Sequence, residues 1–153
     1  MNTYRATATA LIPAPTHTVY AIIADYRDGH PRILPRPPFV SLEVEKGGRG
    51  AGTIVRFEMS SFGRTQAFRA TITEPEPGRV LVETTDDGGP VTTFTVDPRV
   101  DGQHAQVTIA TEGALGNGWL AWLERALTVR YLQGIYAQEL AWLAKLAAEP
   151  AGE

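Results

Sequence analysis

Cysteine is absent from the chain. With it go disulfides, a thiolate nucleophile and every zinc site built on sulfur. Histidine is nearly as scarce: His17, His30 and His104 are the whole set, and no two sit at a ligand spacing such as HExxH, so no metal is expected. Charge is unremarkable in both amount and arrangement. Fourteen basic residues stand against 17 acidic ones, for a formal net charge of -3, without a run of five or six like charges, which argues against nucleic acid as a partner. No apolar stretch approaches the roughly 18 residues of a spanning helix. The opening residues Met1-Asn2-Thr3-Tyr4-Arg5 carry no basic segment followed by an apolar core. The expectation is a cytoplasmic protein without stable membrane insertion.

What is present suits one folded unit. A chain of 153 residues, 43% hydrophobic and 20% charged, matches a globular domain of ordinary size. A single domain is expected over 1–147. The segment 148–153, small and polar in sequence, is expected to be a flexible tail.

From Thr3 to Ile12 small polar and apolar side chains alternate, the signature of a strand. Pro13 and Pro15 stop it, and Pro15 suits the start of a helix, where a missing N–H costs nothing. Val19, Ile22, Ile23 and Tyr26 recur at helical spacing, so a short amphipathic helix is expected to about Asp25. The proline-dense segment from Asp28 to Pro38 breaks any long element, although His30 to Leu34 has room for one short turn.

Between Phe39 and Thr111 the period changes to two. Turn chemistry at Lys46-Gly47-Gly48, Ser61-Phe62-Gly63, Glu76-Pro77-Gly78, Asp87-Gly88-Gly89-Pro90 and Asp101-Gly102 divides this stretch into six strands at close spacing, hence sequential antiparallel pairing. One phase of the alternation collects Val55, Phe57 and Met59; Gln66, Phe68, Ala70 and Ile72; Val80, Val82 and Thr84; Thr92, Phe94 and Val96; and Val107, Ile109 and Thr111. These form the expected inner face. The longest regular segment then runs from Trp119 to about Ala147, about 40 Å at 1.5 Å per residue. In helical projection Trp119, Leu120, Leu123, Leu127 and Tyr131 share one sector, and Leu132, Ile135, Tyr136, Leu140, Leu143 and Leu146 share another. Gly134 lies near the changeover, and the first half is expected to roof the sheet.

This order of elements, with Ile12-Pro13-Ala14-Pro15, Val19-Tyr20, Asp25-Tyr26 and Ile33-Leu34-Pro35, resembles the START-like (SRPBCC) superfamily. Within it the chain is most similar to polyketide cyclase/dehydrase and lipid-transport proteins with the Bet v 1-type helix-grip fold. The resemblance implies an α+β fold: a seven-stranded curved antiparallel sheet wrapped around a long C-terminal helix, with two short helices between strands 1 and 2. It also implies an apolar or amphipathic small molecule held between sheet and helix, and in some members cyclisation, dehydration or hydrolysis there. His30 stands where many members have a tryptophan, which implies a more polar cavity entrance.

The candidate ligand-binding residues are Phe57, Met59, Gln66, Phe68, Thr84, Thr92, Phe94, Thr111, Trp119, Leu123, Leu127, Arg130 and Tyr131, with His30 at the entrance. Arg130 falls inside the apolar sector of the first helical half, where a guanidinium would anchor an anionic head group unless its stem packs on Trp119 and its head reaches water. Inward polar groups such as Gln66, Thr84, Thr92 and Thr111 need partners, in one another or in a ligand. The glycine-rich segment from Gly47 to Gly52 precedes no helix and so is no phosphate loop; it is expected to be a hairpin connection, with a lid over the cavity as the alternative. His30 as an acid or base needs a partner within hydrogen-bond reach, and the sequence names none.

The leading expectation is a carrier or sensor of a small hydrophobic or amphipathic molecule, without a cofactor, as a monomer or homodimer. The alternative is a cyclase/dehydratase-type enzyme using the same cavity, to be recognised by a titratable pair in contact inside a closed pocket. A third is a protein-interaction module.

Overall fold

The computed structural model describes residues 2–150. Strand β1 (Thr3–Ile12) leads into helix α1 (Thr16–Ala24) and a short 3₁₀ turn at His30–Ile33. Six strands follow, β2 (Phe39–Lys46), β3 (Ile54–Ser61), β4 (Arg64–Glu76), β5 (Val80–Thr85), β6 (Val91–Arg99) and β7 (His104–Ala114), and then helix α2 (Ala121–Ala147). All seven strands form one antiparallel sheet in the order β1-β7-β6-β5-β4-β3-β2. This is the expected α+β helix-grip architecture.

The order has a geometric consequence. From β2 to β7 each strand turns back on its neighbour, but β1 and β2 occupy opposite edges of the sheet. The chain between them must therefore cross from edge to edge, and α1 and the 3₁₀ turn make that crossing. The core lies beneath them, where Ile12, Val19, Ile23, Ile33, Val55, Ile72, Phe94, Val107, Ile109 and Leu143 are almost fully buried.

Helix α2 starts two residues later than the pattern suggests, with Leu120 as its cap. Arg125 Nε donates to the Thr3 carbonyl at 2.9 Å and Gln133 Nε2 to the Thr7 carbonyl at 3.3 Å. These contacts fix the helix's rotation along β1. Its second half, not its first, meets the core: Ile135, Tyr136, Glu139, Leu140 and Leu143 are buried, while Trp119, just ahead of the helix, is 86% exposed and Leu127 61%. The sector gathered by Trp119, Leu123 and Leu127 therefore faces outward.

Residues 47–52 are not a lid. Tyr26 N–H donates to the Gly48 carbonyl at 2.8 Å, Gly50 N–H to Ala24 O at 3.0 Å, and Ala51 N–H to Glu74 Oε1 at 2.7 Å. The connection is thus clamped on the end of α1. Gly50 has a φ of +60°, and a Cβ there would lie 2.2 Å from Glu74 Oε1. Gly50→Ala is expected to cost about 1 kcal/mol from the left-handed backbone alone; urea unfolding measures it, and an unchanged midpoint would contradict this packing.

Of the tail expected over 148–153, residues 151–153 lie outside the described residues. Glu149 is tied to Arg32, whose Nη2 lies 3.2 Å from its carboxylate. No helix among the described residues is long and apolar enough to cross a membrane.

Candidate functional site

A cavity of about 110 Å³ lies between the sheet, the edge-to-edge crossing and the second half of α2. Its lining divides by strand. Phe39 and Leu42 of β2, Val55, Phe57 and Met59 of β3 and Phe68 of β4 make an apolar wall. Within it, ring centroids stand 6.1 Å apart for Phe39–Phe57 and 5.2 Å for Phe57–Phe68. Tyr26 and His30 from the crossing, Glu83 from β5, Thr92 and Thr111 from β6 and β7, and Tyr136 and Glu139 from α2 supply the polar side.

Local sequence explains how the crossing delivers two of these groups. Asp25 Oδ1 accepts the N–H groups of Arg27 and Asp28, both at 3.2 Å, closing a tight turn after α1. Gly29 then passes so near the helix end that a Cβ would lie 2.6 Å from the Ile22 carbonyl oxygen. Pro31, the second residue of the 3₁₀ turn, holds its first turn in place. Together these leave His30 only 2% exposed, stacked on Tyr26 at 4.4 Å between centroids and meeting Phe94 edge-on at 5.5 Å.

The polar contacts form two groups. In one, the Tyr26 hydroxyl donates to Glu83 Oε1 at 2.6 Å, and His30 Nε2 lies 3.5 Å from the same oxygen. His30 Nδ1 is 2.7 Å from the Ile23 carbonyl, which only accepts, so Nδ1 carries a proton and a neutral ring has its lone pair on Nε2. In the other, the Thr92 and Thr111 hydroxyls are 2.8 Å apart, and Thr111 is hydrogen-bonded in turn to the Tyr136 hydroxyl. Burial and the neighbouring Glu83 charge push the Tyr26 phenol well up, and burial does the same to Tyr136. Glu139, 2% exposed, has its carboxyl pushed well above the usual glutamate range, first by burial and then by Glu83.

Of the residues singled out from sequence, Phe57, Met59, Phe68, Thr92, Phe94, Thr111 and His30 line this cavity. His30 sits in its buried wall instead of at an entrance. Thr84 is exposed on the opposite face. Strand β5 reads Val80-Leu81-Val82-Glu83, apolar in both phases, and the phase that turns inward is that of the fully buried Leu81, so Glu83 and Thr85 face the cavity. A register shift between Thr73 and Glu76 accompanies this phase. Gln66 keeps its phase but lies near the exposed β3–β4 hairpin, opposite Met59.

Trp119, Leu123 and Leu127 are exposed, as the rotation of α2 dictates. Arg130 and Tyr131 line a separate open groove with Phe62 and Ser61, where the Ser61 and Tyr131 hydroxyls are 2.5 Å apart. Arg130 is therefore not a cavity anchor. Sequence reasoning missed Glu83, Glu139, Tyr136 and Tyr26 as site groups. For Glu139 a signal was there: it lies four residues after Ile135, three after Tyr136 and four before Leu143, on the buried stripe of α2.

A curved seven-stranded sheet closed by a long C-terminal helix over a partly polar cavity defines a START-like helix-grip protein. The chain belongs to the polyketide cyclase/dehydrase and lipid transport family, whose model matches residues 3–148. Among solved structures, the chain is similar to the KanY protein, with 26% identity and a TM-score of 0.83 over 97% of this chain and 100% of that one. The Zhui aromatase/cyclase from Streptomyces sp. R1128 shares the fold at 18% identity and a TM-score of 0.71, covering 95% and 94% of the two chains. So does a norcoclaurine synthase point mutant from Thalictrum flavum bound to a transition-state analogue, at 17% identity and a TM-score of 0.69, covering 95% and 94%. No curated protein sequence matches the chain.

Proposed function

We propose that the cavity receives a small amphipathic molecule and that its polar side performs acid–base chemistry of the cyclase/dehydratase kind. The observation that carries this reading is the contact of Tyr26 with Glu83 at 2.6 Å, with His30 beside the same carboxylate oxygen, inside the cavity. Burying such groups costs stability that an apolar lining would not. A carrier of a purely apolar cargo has no use for them.

The chemistry follows from the arrangement. The apolar wall of β2–β4 holds the body of the substrate, and its oxygenated end lies among Tyr26, His30 and Glu83. Aldol-type cyclisation and loss of water from a β-hydroxy ketone both begin with removal of a proton next to a carbonyl. His30 Nε2, its ring oriented by the Ile23 carbonyl and its cationic form stabilised by Glu83, is the base for that step. In the dehydration, the C–H electrons form the new double bond, the C–O bond breaks, and the leaving hydroxyl takes the proton that His30 Nε2 removed, departing as water and returning the imidazole to its neutral form.

The test is incubation of the purified protein with aryl β-hydroxy ketones, following the ultraviolet absorption of the conjugated enone. A rate above buffer that scales with protein concentration is expected. Ligand binding without turnover across the panel would instead support the carrier reading, which the aromatic wall of Phe39, Phe57 and Phe68 favours.

A further inference from the structure

Glu139 is buried, lines the cavity, and makes no side-chain hydrogen bond to another of the described residues. The acid–base step at Tyr26, His30 and Glu83 does not use it. The Glu139 oxygens are not fully enclosed by protein atoms and so open onto the cavity, where a bound molecule can replace the hydration lost on burial. The groups around it are the Glu83 carboxylate from β5 and the phenols of Tyr26, from the crossing, and Tyr136, from α2 itself. Among the described residues no lysine or arginine lines the cavity, and His30 is the one lining residue that carries positive charge when protonated.

These surroundings decide what the carboxyl can bind. Burial and the Glu83 charge both favour its neutral form. A neutral carboxylic acid offers one O–H donor. Its natural complement is an oxygen with a lone pair and no charge. A ligand carboxylate would be repelled by Glu83, and Arg130, the cation that the sequence suggested for it, lines a different groove.

We propose that Glu139 is a ligand-recognition residue: it donates a hydrogen bond to an uncharged carbonyl or hydroxyl oxygen, so that the cavity takes neutral oxygenated molecules in preference to carboxylates. This rests on the reading that the cavity holds a ligand, and not on turnover. It also fixes the orientation of that ligand, with its oxygen toward α2 and its ring toward β3 and β4.

NMR titration of the protein with acetophenone and with benzoate, probes of matched ring size, tests it. In mildly acidic buffer acetophenone is expected to bind at least about tenfold more tightly, the scale of one buried hydrogen bond. Its affinity falls as pH rises and Glu139 ionises. Glu139→Gln, which keeps an N–H donor, retains acetophenone binding within about threefold and loses that pH dependence, whereas Glu139→Leu weakens binding about tenfold. Because His30 also faces the cavity, the Glu139→Gln comparison isolates the carboxyl. Benzoate binding as tightly as acetophenone, or a pH dependence in Glu139→Gln equal to that of the wild type, would overturn the proposal. Failure of both probes to bind would overturn it together with the cavity reading. Selective ketone binding without turnover of any substrate would support it and remove only the catalytic reading.

Discussion

Glu83→Gln is expected to lower kcat by about 10²–10⁴-fold, the range for loss of a positioned acid–base group, on any β-hydroxy ketone that the protein dehydrates. The glutamine side chain keeps the shape and still accepts the Tyr26 hydroxyl. It removes the negative charge 3.5 Å from His30 Nε2, and so the stabilisation of the imidazolium that forms when His30 takes the substrate proton. KM is expected to change by less than about threefold, because the apolar wall that holds the substrate body is untouched. His30→Gln should show the same loss of kcat, and the double variant should be little worse than either single one, as groups acting as a unit are not additive. Steady-state kinetics on the three variants measures this. A Glu83→Gln enzyme with wild-type kcat would sink the assignment of the His30–Glu83 pair.

The second large effect is on stability. Glu139 holds its proton more tightly in the folded protein than in the unfolded chain, where its ordinary value is 4.5. Above that value the unfolded chain releases the proton while the native protein keeps it. The native state then binds more protons than the unfolded one, so stability falls as pH rises, with a slope of up to about 1.4 kcal/mol per pH unit, until the folded carboxyl itself ionises. Below 4.5 both states are protonated and this contribution to the slope vanishes. Glu139→Leu removes the titrating group and the buried carboxyl together. It is expected to raise stability at neutral pH by about 1–3 kcal/mol and to flatten the slope. Urea unfolding of wild type and variant at several pH values checks both. If the variant is less stable than wild type at neutral pH, the carboxyl is satisfied in a way that its surroundings do not indicate.

A residue that costs stability and faces a cavity is what a functional group looks like in a fold. The same tension explains which parts of this molecule could be read from its sequence. Turn chemistry and period-two alternation are local, and they delivered every strand of the sheet. The apolar wall was legible for the same reason, since Phe57, Met59 and Phe68 alternate cleanly against Arg56, Glu58 and Arg69. Strand β5 offered no such contrast. With Val80, Leu81 and Val82 all apolar, the phase depended on the register shift in β4, and choosing the wrong one exchanged Glu83 for Thr84 as the inward residue.

Helix α2 posed a different problem. Its sequence has two apolar sectors, and which one faces in is settled by tertiary structure: Ile135, Tyr136, Leu140 and Leu143 join the core while Arg125 and Gln133 bond to β1. An outward Trp119 and an inward Glu139 both run against the usual preference of their side chains. His30 was singled out, but its depth came from Gly29 and the Asp25 turn, whose role shows only once the end of α1 is in place.

The edge-to-edge crossing bears on the order in which the molecule can come together. The hairpins that build the apolar wall join neighbours in sequence, whereas Tyr26 and Glu83 are 57 residues apart and β1 pairs Thr3 with Ala114. Contacts of such long range form at a larger entropic cost than local ones. A chain that has formed only its local hairpins holds the greasy half of the pocket and has none of its proton-handling half. Chemical competence is therefore a property of the finished topology, and it arrives with the last long-range contacts.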